Sequence, residues 1–93
     1  MTIGLITVRI SIPDAQSLKD KRSVLKSMKD RLLNKMNVSV AEVGSQNEWE
    51  FAELAIVTVA GDSTIVQSRI SKVSSCFRSD PRYVLVDLRT ELM

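Results

Sequence analysis

Lys19, Arg22, Lys26 and Lys29 follow one another at steps of three, four and three residues. On a helix this spacing stacks the four cations along one flank. A line of positive charges on a rigid rod suits contact with successive phosphates of a nucleic acid, and such contacts are salt-sensitive. The same line also suits a solvated helix face whose lysines lay their stems over the edge of a core. A second group is acidic: Glu42, Glu48, Glu50 and Glu53 occur with no basic residue between them. Four carboxylates so close in sequence could hold a hard cation, but no Asp/Asn-Gly loop pattern accompanies them, so no metal site is expected. Trp49 and Phe51 lie within the acidic group. An aromatic pair there either caps the core or anchors an interface.

Other chemistries are narrowed by what is missing. The 93 residues include no histidine, which excludes Ser-His and Cys-His nucleophilic catalysis and most catalytic zinc sites. Cys76 is the single cysteine, so it has no partner for a CxxC metal or redox pair. It reads as a small apolar residue at the edge of a helix. The glycines Gly4, Gly44 and Gly61 are isolated, so no phosphate-cradling loop exists. No enzyme activity and no cofactor are expected.

The elements that must position these residues follow from periodicity. Ile3 to Ile12 alternates, with Ile6, Val8, Ile10 and Ile12 on one side, and predicts a half-buried strand. Ser17 is a helix cap and Asp20, three residues on, a short form of the capping box. From there to Met36 the spacing predicts an amphipathic helix whose core stripe is Leu18, Leu25, Met28, Leu32 and Met36. Lys19, Arg22, Lys26 and Lys29 run down one flank, and Lys21, Arg31 and Lys35 down the other. Asn37 is the expected stop. Val38 to Val43 is a second strand and Gly44-Ser45-Gln46-Asn47 a turn. Glu53 to Ala60 is an almost continuous apolar run, as in a central strand covered on both sides. Asp62 caps a second helix with Val66, Ile70, Val73 and Phe77 inward and a serine-rich outer face. Tyr83 to Leu88 alternates again, and the last four residues are expected to fray.

The order βαββαβ is that of an α+β, ferredoxin-like sandwich. Its usual form is a four-stranded antiparallel sheet in the order 4-1-3-2 with two helices on one face. Ile6, Val8, Ile10, Val84, Val86 and Leu88 are expected to face the helices. Arg9 and Asp87 are expected to meet on the open face. Residues 1–93 make one domain. Acylphosphatases share this topology but need a glycine-rich loop and an arginine after the first strand, where this chain has Pro13-Asp14-Ala15-Gln16. RNA recognition motifs need aromatic side chains on the central strands, and neither Ile3 to Ile12 nor Leu54 to Ala60 has one.

Net charge is only +2, but it is unevenly spread. Lys19 to Lys35 holds seven basic and two acidic residues, against four acidic and no basic ones from Glu42 to Glu53. Such polarity steers partners, or pairs the basic helix of one copy with the acidic turn of another. The lone cysteine fits a reducing, cytoplasmic setting. No run approaches the roughly 18 apolar residues of a membrane span, and the uncharged start reads as a strand rather than a leader.

Two stretches carry a resemblance. Ser17-Leu18-Lys19-Asp20-Lys21-Arg22 is similar to the start of the first helix in the YlxP-like family of uncharacterised bacterial proteins. Asn37-Val38-Ser39-Val40-Ala41-Glu42-Val43-Gly44, followed by Trp49 and Ala52, is similar to that family's second strand and loop. The resemblance implies a ferredoxin-like domain with no established activity. Genes of this family often lie among genes for translation initiation and ribosome maturation, which implies a role near RNA or ribosomal particles. Glu50-Phe51 departs from the glutamine and arginine that family members often carry there. This departure weakens a nucleic-acid contact at that point and favours self-association. Two expectations follow. In one, the protein binds RNA or a ribosomal particle through Lys19, Arg22, Lys26 and Lys29. In the other, it is a homodimer using the sheet face, or the edge strand with Trp49 and Phe51.

Overall fold

The computed structural model describes residues 1–93. The strands are β1 (Thr2–Ser11), β2 (Ser39–Gly44), β3 (Phe51–Ala60) and β4 (Val84–Leu92); the helices are α1 (Leu18–Lys35) and α2 (Ser63–Ser79). The sheet order is β2-β3-β1-β4, all neighbours antiparallel, as expected of the ferredoxin-like sandwich. Ile6, Val8, Ile10 and Ile12 are fully buried beneath the helices, as their alternation predicts.

Local chemistry sets the helix starts. The Ser17 hydroxyl accepts the Asp20 N–H at 3.1 Å, and the Asp20 carboxylate accepts the Gln16 N–H at 3.0 Å. This is a capping box whose return bond reaches one residue further back than usual. Met28 and Leu32 carry the buried face of α1, with Val24, Leu25 and Met36 packed at its margin. Leu18 is only half-buried and lies outside this core. At α2 the Asp62 carboxylate accepts the Thr64 N–H at 2.8 Å, and Val66, Val73 and Phe77 are buried. Helix α2 crosses the sheet over Gly4, where an added Cβ would stand 2.7 Å from Val66 Cγ1. A side chain at this position would push the helix away.

Three expectations about the strands change. Val84 and Val86 do not face the helices: they are 55% and 53% exposed. Arg9 pairs with Asp87 but Ile10 with Leu85, so Val86 is an extra residue in a bulge. The bulge reverses the alternation before Asp87, so Tyr83 and Leu85 turn inward in place of Val84 and Val86, while Leu88 packs against the core as expected. Secondly, β4 does not fray after Leu88; it continues to Leu92, and Met93 exchanges two backbone hydrogen bonds with Ile3. Thirdly, β3 is central but covered on one side only. Ala52, Leu54, Ile56 and Thr58 are buried, whereas Val57 and Val59 are 39% and 48% exposed on the open face. No helix is long and apolar enough to cross a membrane.

Candidate nucleic-acid interface

Six of the seven basic residues of α1 divide into two sets with different work; the seventh, Lys35, is exposed in the last turn and makes no ion pair. Lys21 is 1% exposed. Its ammonium donates to the carbonyls of Ser45 and Glu48, both at 2.6 Å, and lies 2.9 Å from the Glu42 carboxylate. That carboxylate oxygen is off the line of a hydrogen bond, so the attraction is ionic. Two carbonyls accept N–H groups of the buried ammonium, and the carboxylate balances its charge. Lys21 therefore ties α1 to the turn between β2 and β3. It is not the outer-flank cation that the wheel suggests. A signal was present: Lys21 is four residues before Leu25, seven before Met28 and eleven before Leu32, the spacing of the core stripe itself.

Arg31 is likewise structural. Its guanidinium donates to Asp80 at 3.0 Å and to the Tyr83 hydroxyl at 3.2 Å. Arg82 grips the same carboxylate from the other side, at 2.6 Å, and reaches Ser27 of α1 at 3.0 Å. Tyr83 donates in turn to the Cys76 carbonyl at 3.3 Å, while Cys76 itself is buried. The hydrogen bond from Arg82 holds the Asp80 carboxyl well below the usual carboxylate range, against the opposing effect of burial. Burial, helped by the Asp80 charge, pushes the Tyr83 phenol up.

The other set is Lys19, Arg22, Lys26 and Lys29, all exposed. Lys26 pairs with Asp30 at 3.0 Å on the helix surface, with both groups largely in water. Lys19, Arg22 and Lys29 make no ion pair within the chain. Arg22, Lys26 and Lys29 rim a shallow groove of about 290 Å³ between α1 and β2, with Leu25, Met28, Val40 and Leu54 at its base and Glu42 at its edge. Lys19 does not line the groove.

The acidic group is divided as well. Glu42 is held by Lys21, and Glu53 by Arg9 at 2.9 Å. Glu48 and Glu50 are exposed and make no ion pair. The basic helix and the acidic turn thus meet within one chain, through Lys21 and Glu42. Arg9 is the register partner of Asp87, but its side chain turns to Glu53, while Asp87 takes Arg89 at 3.1 Å. The Arg9 guanidinium also lies 4.6 Å from the centre of the Phe51 ring, a cation–π contact on the open face. Of the expected interface pair, Phe51 is half-buried and already stacked, whereas Trp49 stands 46% exposed.

Comparisons with known proteins agree on family and fold. The family model described as a protein of unknown function (DUF503) matches residues 3–90. An uncharacterized protein, YlxP of Bacillus subtilis (strain 168), is 35% identical over 89 residues, covering 96% of this chain and 97% of that one. Among solved structures, a de novo designed protein with ferredoxin fold, LFR1 1, superposes with a TM-score of 0.54 at 17% identity, over 98% of this chain and 87% of the other. The de novo designed protein Foldit4 does so with a TM-score of 0.54 at 14% identity, over 96% of each. At such identities these two likenesses speak for the fold alone.

Proposed function

Given that the chain belongs to the DUF503 family of proteins of unknown function, we propose that it is a non-enzymatic binding protein that contacts RNA or a ribosomal particle through α1. The observation that carries this reading is the division of the helix's cations. Folding uses Lys21 and Arg31 internally and leaves Lys19, Arg22 and Lys29 without a carboxylate, with Lys26 in a weak exposed pair. From Lys19 to Lys29 the helix rises about 15 Å, so the cations span several phosphates of a nucleic-acid strand. Their hydration and freedom favour phosphate contact, since each displaces condensed counterions. The non-enzymatic part rests on the absence of histidine and on the engagement of Cys76, Glu42 and Glu53 in packing or ion pairs.

The test is binding of a short RNA duplex and of ribosomal fractions across a salt series. The logarithm of affinity is expected to fall with that of salt at a slope of about 3, and charge reversal at Lys19, Arg22, Lys26 and Lys29 together is expected to abolish binding. Binding that survives all four reversals overturns the proposal.

A second reading is self-association through the open sheet face, favoured by the exposed Val57 and Val59 beside half-buried Ile3 and Leu5. Sedimentation at micromolar concentration tests it: a monomer that Val59→Lys leaves unchanged rules this face out.

A further inference from the structure

The turn between β2 and β3 is held unusually firmly for a surface loop. Lys21 fixes the carbonyls of Ser45 and Glu48. The Glu48 N–H closes a turn on Ser45 O at 3.1 Å, the Gln46 side chain donates to Glu42 O at 3.2 Å, and Glu50 O accepts the Ile12 N–H at 2.7 Å. Trp49 lies between two tethered carbonyls, those of Glu48 and Glu50, and yet remains 46% exposed. None of these bonds is needed to bury it. They fix a large apolar ring at the surface, as interface anchors are fixed before their partner arrives.

The surroundings of the ring select the partner. Trp49 shares a cleft of about 310 Å³ with Asn47, Glu48, Glu50 and Phe51. Glu42 and Glu53 are neutralised nearby, so the uncompensated charge at the cleft comes from Glu48 and Glu50. An indole face flanked by two free carboxylates attracts a cation and repels a phosphate. The neighbouring ring already accepts one such cation, Arg9 over Phe51. We propose that the Trp49 cleft binds an arginine side chain from an extended basic segment of a partner protein. The guanidinium stacks on the indole and hydrogen-bonds to Glu48 or Glu50. Arginine suits the cleft better than lysine because its planar group stacks and pairs at once. Lys21 is a positioning residue here, holding the loop without meeting the partner. The cleft shares no lining residue with the groove rimmed by Arg22, Lys26 and Lys29, so this proposal and the RNA reading stand or fall independently.

Trp49 is the only tryptophan, so its emission reports on the cleft directly. The probe is a synthetic peptide of nine arginines titrated into the intact protein. A saturable change in emission is expected, with affinity about tenfold weaker in Glu48→Gln/Glu50→Gln, whose exposed side chains are not part of the fold. The variant with the four α1 charges reversed is expected to bind the peptide at least as well. Equal affinity in the two-glutamine variant overturns the proposal. So does an emission change that follows protein concentration without peptide and coincides with dimer formation, because the occupant is then a second copy. The same change produced by an RNA oligomer overturns it too.

Discussion

The ammonium of Lys21 lies 2.9 Å from the carboxylate of Glu42, bridging the first turn of α1 to the edge strand β2. It joins the most basic and the most acidic stretches of the sequence inside one molecule. Lys21 also gives the β2–β3 turn its shape, through the carbonyls of Ser45 and Glu48. Replacing it leaves two carbonyls and a carboxylate short of a partner. Lys21→Met is therefore expected to lower stability by about 2–4 kcal/mol, towards the smaller value because Glu42 keeps some contact with water. Urea unfolding measures this, and the emission of Trp49 should shift as its loop loosens.

Asp80 predicts an acid dependence. Its carboxyl is held below the ordinary range in the folded chain, so the unfolded chain binds its proton first as pH falls. The stability it contributes is complete above about pH 4, the unfolded carboxylate range, and declines as pH drops further toward the folded value. Asp80→Asn should remove this part of the acid slope. At neutral pH it should destabilise by about 2–3 kcal/mol, because Arg31 and Arg82 stay partly hydrated when their shared anion is lost. Urea midpoints of the two proteins between pH 2 and 7, on the order of one unit apart, test both statements.

Gly4 predicts a packing limit. A methyl group there meets Val66 at 2.7 Å and Ile70 and Thr58 at 3.3 Å. Gly4→Ala is expected to destabilise by about 1–3 kcal/mol as α2 shifts outward. Gly61→Ala, where nothing lies within 4 Å, is the control and should be nearly neutral in the same thermal melt.

Asp30 predicts a gain. Its carboxylate draws Lys26 along the helix at 3.0 Å. Asp30→Asn frees this cation and removes a negative charge from the flank. RNA affinity at low salt should rise about two- to fivefold, and the salt slope should steepen. A measured loss of affinity would count against α1 as the contact surface.

Much of the architecture was legible because it rests on periodicity. The alternation of Ile6, Val8, Ile10 and Ile12, the Ser17 and Asp62 caps and the order of elements lead directly to the observed sheet. Less legible were features in which one residue acts against its type. Lys21 occupies a core-stripe position, but a lysine is counted as surface unless its partners are known, and these lie 21 to 27 residues away. Arg31 finds Asp80 across 49 residues for the same reason. The bulge at Val86 has no glycine or proline to mark it, so Val84 and Val86 alternate in sequence as though they faced inward. Of the candidate RNA-binding residues, three line one groove and Lys19 stands outside it, a distinction that depends on how β2 lies beside the helix.

The bonds between Ile3 and Met93 close the sheet at one corner, with residues 3 and 93 on adjacent antiparallel strands. A force applied through residues 1 and 93 would therefore open β1 from β4 like a zipper, loading one pair of hydrogen bonds at a time. Mechanical resistance should be low even where thermal stability is high. The Trp49 loop, tied to Ile12 at the far end of β1, would be among the last parts to feel the pull.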